Sequence, residues 1–261
     1  MRALPPILLI LTLLAAPVAA QPGITRPQDC LTADQAGADS AAQARLRGVL
    51  ARLGGVLAAL PSLGRTLARA APAICLSDQL HGEHGYMESD GARIVLNAEL
   101  GDPMLMAVIL HELRHLDQLD AGVCPSPALS MSETARSVFA IEADATAVML
   151  LGAWWMRQNG APEVWDAAAR WPSIADIAAR FEQAMTAGAQ THQAVSAAFD
   201  QWYASDWRRE RYYLAACSDY LDQLDRTKHL PRYQLVPDDY FQHLCHLPDG
   251  TPYACAEPLA D

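Results

Sequence analysis

The residues whose types and spacing most clearly indicate chemistry are the five letters HELRH at residues 111–115. Residues four apart lie on one face of a helix, so His111 and His115 could share one metal ion. The letters match the H-E-x-x-H pattern, in which two histidines bind zinc. Glu112 lies one position further around the helix, where its carboxylate could take the proton of a water that the metal activates.

The sequence around this motif predicts a helix. Asp102 and Pro103 provide an N-cap and a first helical position, and residues 104–110 are almost entirely apolar. Gly122 provides a C-cap after the motif. The simplest alternative is a helix whose two histidines make ordinary hydrogen bonds and bind no metal.

A catalytic zinc site with two histidines needs a third protein ligand and leaves a fourth position open. A second helix, predicted from about residue 133 to residue 157, carries Glu142 and Asp144 within an apolar stretch. Carboxylates in such a helix cost free energy unless they are paired or bind a metal. Residues two apart on a helix point about 200° from each other, so only one of the two could face the zinc.

Together these motifs resemble the gluzincin-type metallopeptidases, in which a glutamate on the next helix completes the H-E-x-x-H site. Over about residues 74–157, HELRHLDQ and EADA are similar to metallopeptidase domains of bacterial proteins whose substrates are unassigned. The resemblance implies Zn²⁺ as the cofactor, with His111, His115 and Glu142 as its ligands. It also implies Glu112 as the general base.

The choice of Glu142 over Asp144 rests on this resemblance and on the longer side chain, which reaches further across a gap between helices. Asp144 is then predicted to be a buried structural carboxylate, hydrogen-bonded to a histidine of the site or to an arginine. The chain departs from many gluzincins at Thr146, where an aspartate four residues after the glutamate supports a histidine. No H-x-x-G-x-x-H extension is present, which excludes the three-histidine arrangement of metzincins.

The predicted fold class is α+β and mainly helical, with a small antiparallel sheet next to the motif helix, as in zincins, and a helical C-terminal part. The segments at residues 73–76, 86–88 and 92–97 predict short strands, and the letters Ser-Asp-Gly at 89–91 predict a hairpin turn. We expect residues 93–97 to form an edge to which an extended peptide could add by backbone hydrogen bonds. The alternative is a hairpin with a purely structural role.

Four segments are predicted along the chain. Residues 1–20 have a positive start, an apolar core and small residues before a cleavage site after Ala20, as in a signal peptide, so a periplasmic or secreted location is expected. Residues 21–158 are predicted to form the zincin-like catalytic domain. Residues 159–230 form a helical part packed on it, and residues 231–261 form a C-terminal coil pinned by disulfides.

Composition and cysteines narrow the class of protein. The net charge is -11, and the chain has no basic patch of the kind that binds nucleic acid. Six cysteines behind a signal peptide predict three disulfides, and Cys245 and Cys255 are the best single pair because they flank a turn at residues 248–250. The alternative is a second metal site formed by these two cysteines with His243 and His246.

The function predicted from these features is a zinc metallopeptidase that acts on a peptide or protein, without a nucleic-acid partner and without a membrane once the signal peptide is removed. The alternatives are a zinc hydrolase of a non-peptide amide or ester, and an inactive zincin-fold binding protein. A zinc peptidase also needs a group that stabilises the oxyanion. The sequence offers five such residues without selecting among them: Tyr203, Arg211, Tyr212, Tyr213 and His229.

Overall fold

The computed structural model describes residues 25–33, 35, 37–80, 82–88 and 92–258. The predicted signal peptide, residues 1–20, and the predicted turn at residues 89–91 lie outside the described residues. The domain limits proposed from the sequence stay predictions. The α+β class with a large excess of helix is confirmed.

One small sheet carries four strands in the order β1-β2-β4-β3: β1 (Cys30–Leu31), β2 (Ala73–Ser77), β3 (Gly85–Met87) and β4 (Arg93–Asn97). β2 and β4 are parallel, and the outer pairs are antiparallel, so the prediction of an antiparallel sheet was wrong in this detail. The prediction that residues 93–97 form an edge was also wrong. The three central residues of β4 are apolar and fully buried, which is typical of an interior strand.

The helices are α1 (Ala41–Ala59), α2 (Pro61–Ala70), α3 (Asp102–Asp120), α4 (Met131–Gln158), α5 (Pro162–Ala169), α6 (Ala175–Thr186), α7 (Thr191–Tyr203), α8 (Asp206–Thr227) and α9 (Tyr240–Leu244). The two glycines Gly54 and Gly55 do not interrupt α1, and Pro61 starts α2. Within residues 160–230 the described chain forms four helices, α5 to α8. Gly188, with φ +85°, follows the end of α6 and allows the chain to turn before α7.

The motif lies in α3, as predicted, and α3 packs against α4. α3 begins after the extended residue Gly101 and has Pro103 in its first turn, and Gly122, with φ +72°, follows its end. α4 also packs on α5, α7 and α8, which makes it the central helix of the core. By length and composition alone α4 could cross a membrane, but 72% of its most apolar window is buried inside the protein. Burial in the core therefore accounts for its apolar sequence.

Two disulfides are formed, between Cys30 and Cys75 and between Cys245 and Cys255. The first links β1 to β2. The second confirms the predicted best pair, and it removes both sulfurs of the alternative metal site, which is therefore excluded. Two disulfides are typical of a protein in an oxidising, extracellular or periplasmic environment.

The predicted third disulfide is absent, because Cys124 and Cys217 are unpaired in the described chain. The two thiols lie in different surroundings. Cys217 shares a hydrogen bond with Tyr213, one turn earlier on α8. Burial raises the pKa of Cys124 to about 11, which keeps this sulfur a protonated thiol. An even number of cysteines therefore did not indicate complete pairing.

Gly152 sets how closely α4 approaches α3. A Cβ atom at this position would lie 2.8 Å from Cδ1 of Leu110 and 3.3 Å from Cδ1 of Leu60. Leu110 immediately precedes His111, so the position of the motif depends on this contact. Gly54 on α1 is a matched comparison, because a Cβ atom there would meet nothing within 4 Å.

We expect Gly152→Ala to lower the free energy of unfolding by about 1–3 kcal/mol, because the added methyl group overpacks the contact between α3 and α4. Gly54→Ala should raise it by up to about 1 kcal/mol, because alanine favours a helix and the site has room. Urea unfolding of both variants measures the difference. Equal stabilisation by the two substitutions would contradict the close approach at Gly152.

Candidate metal centre

The structure brings together the three residues that the sequence predicts as metal ligands. On α3, Nε2 of His111 and Nε2 of His115 are 3.0 Å apart. On α4, Oε1 of Glu142 lies 3.2 Å from Nε2 of His115, and Oε2 lies 3.6 Å from Nε2 of His111. One ligand atom from each residue lies within 4.8 Å of the others, so the group could hold one metal ion.

The spacing of these atoms is that of a group that could bind one metal ion. Bond lengths of about 2.0–2.1 Å in a tetrahedron place neighbouring ligand atoms about 3.3 Å apart. The two histidine nitrogens are 3.0 Å apart, and each has one oxygen of Glu142 close to it, Oε1 at 3.2 Å from His115 and Oε2 at 3.6 Å from His111. Two imidazoles and one carboxylate are also a ligand set that catalytic zinc sites use.

Glu142 and His115 have shifted pKa values because both are largely shielded from solvent and each is the partner of the other. Burial alone would raise the pKa of Glu142, but the positive charge of His115 and hydrogen bonds from both histidines hold it well below its usual range. Burial alone would lower the pKa of His115, but the Glu142 carboxylate raises it to about 9. The cluster thus favours a positive charge, which a bound metal would supply in place of the proton.

Glu112 lies beside the cluster without belonging to it. It is buried, and its carboxylate accepts a hydrogen bond from the backbone N–H of Met87 in β3. Burial raises its pKa, and this effect is opposed in part by the charges of His111 and His115. A carboxylate with a raised pKa next to a metal site is suited to accept a proton near neutral pH.

Asp144 points away from the cluster, as the 200° separation on α4 predicts. Its carboxylate is fully buried and accepts hydrogen bonds from Arg114 at 2.6 and 3.0 Å, which confirms the predicted arginine partner. Gln118 connects Asp144 to His115: its Nε2 donates to Asp144 at 2.6 Å, and its Oε1 accepts from His115 Nδ1 at 2.8 Å. Gln118 was not among the residues predicted for the site, although its position three residues after His115 brings the two side chains together on α3.

A cavity of about 560 Å³ opens over the cluster, and all four site residues line it. Two of the five oxyanion candidates, Arg211 and Tyr212 on α8, also line it. The Tyr212 hydroxyl hydrogen-bonds Glu142, and burial raises the pKa of Tyr212, so this hydroxyl keeps its proton. The structure does not bring the other three candidates to the cavity: Tyr203 is buried elsewhere in the described core, and Tyr213 and His229 are exposed.

Comparison with known proteins identifies one family. Residues 18–255 match the family described as "Putative metallopeptidase family (DUF6782)", and the match includes α3, α4 and both disulfides. No curated protein and no solved structure matches the chain. A metallopeptidase family implies a bound metal, and the His-His-Glu cluster is a place among the described residues that could hold it.

The pKa of His115 predicts how the metal-free protein responds to pH. Since folding raises this pKa from 6.5 to about 9, the folded state holds a proton that the unfolded state releases between these values. Its contribution to stability is complete below pH 6.5 and is lost as the pH rises through about 9. Urea unfolding in a chelator from pH 6 to pH 10 should show this decline.

His115→Gln should reduce the decline, whereas the same substitution at the exposed His243 should preserve it. A parent protein whose unfolding free energy varies with pH no more than that of His115→Gln would contradict the assignment to His115.

Proposed function

We propose, from the premise that this chain belongs to the putative metallopeptidase family, that it is a zinc-dependent peptidase of the gluzincin type. We place it in the periplasm or outside the cell, in agreement with its two disulfides. The observation that supports the proposal most is the cluster of His111, His115 and Glu142, two imidazoles and one carboxylate whose ligand atoms lie within 4.8 Å of one another.

In this proposal His111, His115 and Glu142 hold the zinc, and Glu112 performs the proton transfers. The zinc supplies Lewis acidity, which lowers the pKa of a water molecule and polarises the carbonyl under attack. Glu112 takes the proton of the attacking water and then gives it to the departing amine. The hydrogen bond from the Met87 N–H holds the Glu112 carboxylate in place between β3 and the cluster.

We assign the oxyanion role to Tyr212. Its hydroxyl already reaches Glu142 and remains protonated because burial raises its pKa. A neutral hydroxyl beside the reacting carbonyl can donate a hydrogen bond to the negative charge that develops on the oxygen. Arg211, the next residue on the cavity wall, adds positive charge to the same region.

We propose that the substrate is a peptide bound in an extended form against β3. β3 pairs with β4 through one of its edges, and it is an outer strand of the described sheet. Tyr86 and Met87 of this strand line the cavity, so a peptide paired with β3 would pass over Glu112. Large apolar side chains of the substrate would contact the aromatic wall of the cavity, which contains Trp171 and Trp207.

Glu112→Gln should leave the zinc content near that of the parent and abolish hydrolysis, because the ligands remain while the proton acceptor is lost. Zinc analysis and cleavage of a peptide library measure both effects. The matched control is Glu99→Gln, a substitution at an exposed position outside the cavity lining, which should keep activity. A Glu112→Gln protein that retains most of its activity would exclude Glu112 as the base. A parent that binds zinc but cleaves no peptide would favour the non-peptide hydrolase.

Glu142→Ala should lose zinc at micromolar free metal while the fold persists, because two histidines alone bind zinc weakly. Asp144→Ala should weaken folding or zinc affinity but still bind one zinc ion, because its carboxylate contacts Arg114 and Gln118 rather than the cluster. Metal analysis after dialysis measures both. An empty Asp144 variant beside a full Glu142 variant would reverse the two roles.

A further inference from the structure

We propose that the C-terminal disulfide loop, residues 244–255, positions His115 for the metal, so that formation of the Cys245–Cys255 disulfide strengthens zinc binding. The inference rests on the proposed function in one respect, since it takes His111, His115 and Glu142 as the zinc ligands. It adds a regulation of that site: a chain in which this disulfide has not formed holds zinc more weakly than the oxidised chain.

Gln118 fixes the orientation of the His115 ring. The Nδ1 atom of His115 lies 2.8 Å from Oε1 of Gln118, so Nδ1 carries a proton and Nε2 is directed to the cluster. The amide of Gln118 has only one orientation available here. Its Nε2 donates to the backbone oxygen of Ile141 at 2.9 Å and to Asp144 at 2.6 Å, so its oxygen must face His115.

Asp144 in turn orients Gln118, because it accepts a hydrogen bond from the Gln118 amide. A fully buried carboxylate requires several donors, and here they are Arg114, Gln118 and Tyr253. The Tyr253 hydroxyl donates to Oδ1 of Asp144 at 2.6 Å. Burial raises the pKa of Tyr253, so this donor stays protonated. Tyr253 belongs to the loop, and the loop therefore takes part in holding Asp144.

Arg114, a second donor to Asp144, is also held by the loop. Its Nη2 donates to the backbone oxygens of Leu244 at 3.2 Å and His246 at 2.8 Å, and its Nη1 donates to Asp117 at 2.6 Å. Two of these acceptors are carbonyls of the loop. A buried guanidinium whose acceptors are lost would have to shift towards solvent, and Asp144 would lose its main partner.

The Cys245–Cys255 disulfide closes the loop itself. Cys245 and Cys255 are joined across ten positions, and the Tyr253 N–H donates to the Cys245 oxygen at 3.0 Å inside the closed loop. The Leu247 N–H donates to the Thr251 oxygen at 2.8 Å. A disulfide lowers the entropy of the open chain, so it increases the fraction of time in which the carbonyls and Tyr253 face Arg114 and Asp144.

Closure is an ordinary thiol–disulfide exchange. The Cys245 and Cys255 thiols lose two protons and two electrons and form one S–S bond. An oxidised dithiol protein of the compartment accepts the electrons and protons, and its own disulfide becomes two thiols. Zinc binding would in this way become strong only after the chain has reached an oxidising environment.

The test compares zinc affinity in variants of the full chain, measured by competition with a chromophoric chelator, together with the visible absorption of the cobalt-substituted protein. The double variant Cys245→Ser with Cys255→Ser should bind zinc about 10–100-fold more weakly, as is common when partners of metal ligands are removed. The matched control is Cys30→Ser with Cys75→Ser, which removes the other disulfide, between β1 and β2, and should bind zinc as the parent does.

Tyr253→Phe keeps the disulfide and removes only the hydrogen bond to Asp144. It should also lower zinc affinity and change the cobalt absorption, and it decides the matter if the double serine variant fails to fold. Parent-like zinc affinity in Tyr253→Phe and in a folded double variant would overturn the inference while leaving the proposed zinc site intact. A parent that binds no zinc would overturn the proposed function and this inference together.

Discussion

The structure depends on two carboxylates of one apolar helix that are largely removed from water and that both contact α3. Glu142 and Asp144 lie two residues apart on α4, and each needs positive charge or hydrogen-bond donors to offset its removal from water. α3 provides both solutions. His111 and His115 of α3 contact Glu142, and Arg114 and Gln118 of the same helix contact Asp144. The packing of α3 against α4 therefore depends on the pairing of these charged side chains.

The carboxylate of Asp144 belongs to a structural network and that of Glu142 to a possible metal site, because their partners differ. Arg114 is permanently charged and is held by Asp144, Asp117 and backbone carbonyls, so this side of α3 is a closed structural network. The histidines that face Glu142 can exchange a proton for a metal ion, and they open into a cavity beside β3. The site that we propose for zinc is thus the side on which the positive charge is exchangeable.

Local periodicity explains what could be predicted from the sequence. The one-turn spacing of the two histidines, the strands before α3 and the divergence of Glu142 and Asp144 are all properties of neighbouring residues, and the structure reproduces each of them. Sequence spacing also indicated the Cys245–Cys255 pair, which closes a short loop.

The rest depends on contacts between distant parts of the chain. The parallel pairing of β2 with β4, which made β4 an interior strand, has no signature in either strand alone. The contact of Tyr253 with Asp144 joins residues 109 positions apart, and the placement of Tyr212 over Glu142 requires the whole path from α4 to α8. The number of cysteines could not show that Cys124 and Cys217 remain unpaired. These features follow from tertiary packing, which residue spacing does not encode.

X-ray absorption spectroscopy of the zinc-loaded parent protein tests the central claim most directly, because it measures which atoms surround the metal. The account predicts one tightly held zinc ion with nitrogen and oxygen neighbours at about 2.0–2.1 Å, and with the outer-ring scattering of two imidazoles. The claim would be contradicted by a sulfur neighbour at about 2.3 Å, which would place the metal on a cysteine, or by a protein that retains no zinc.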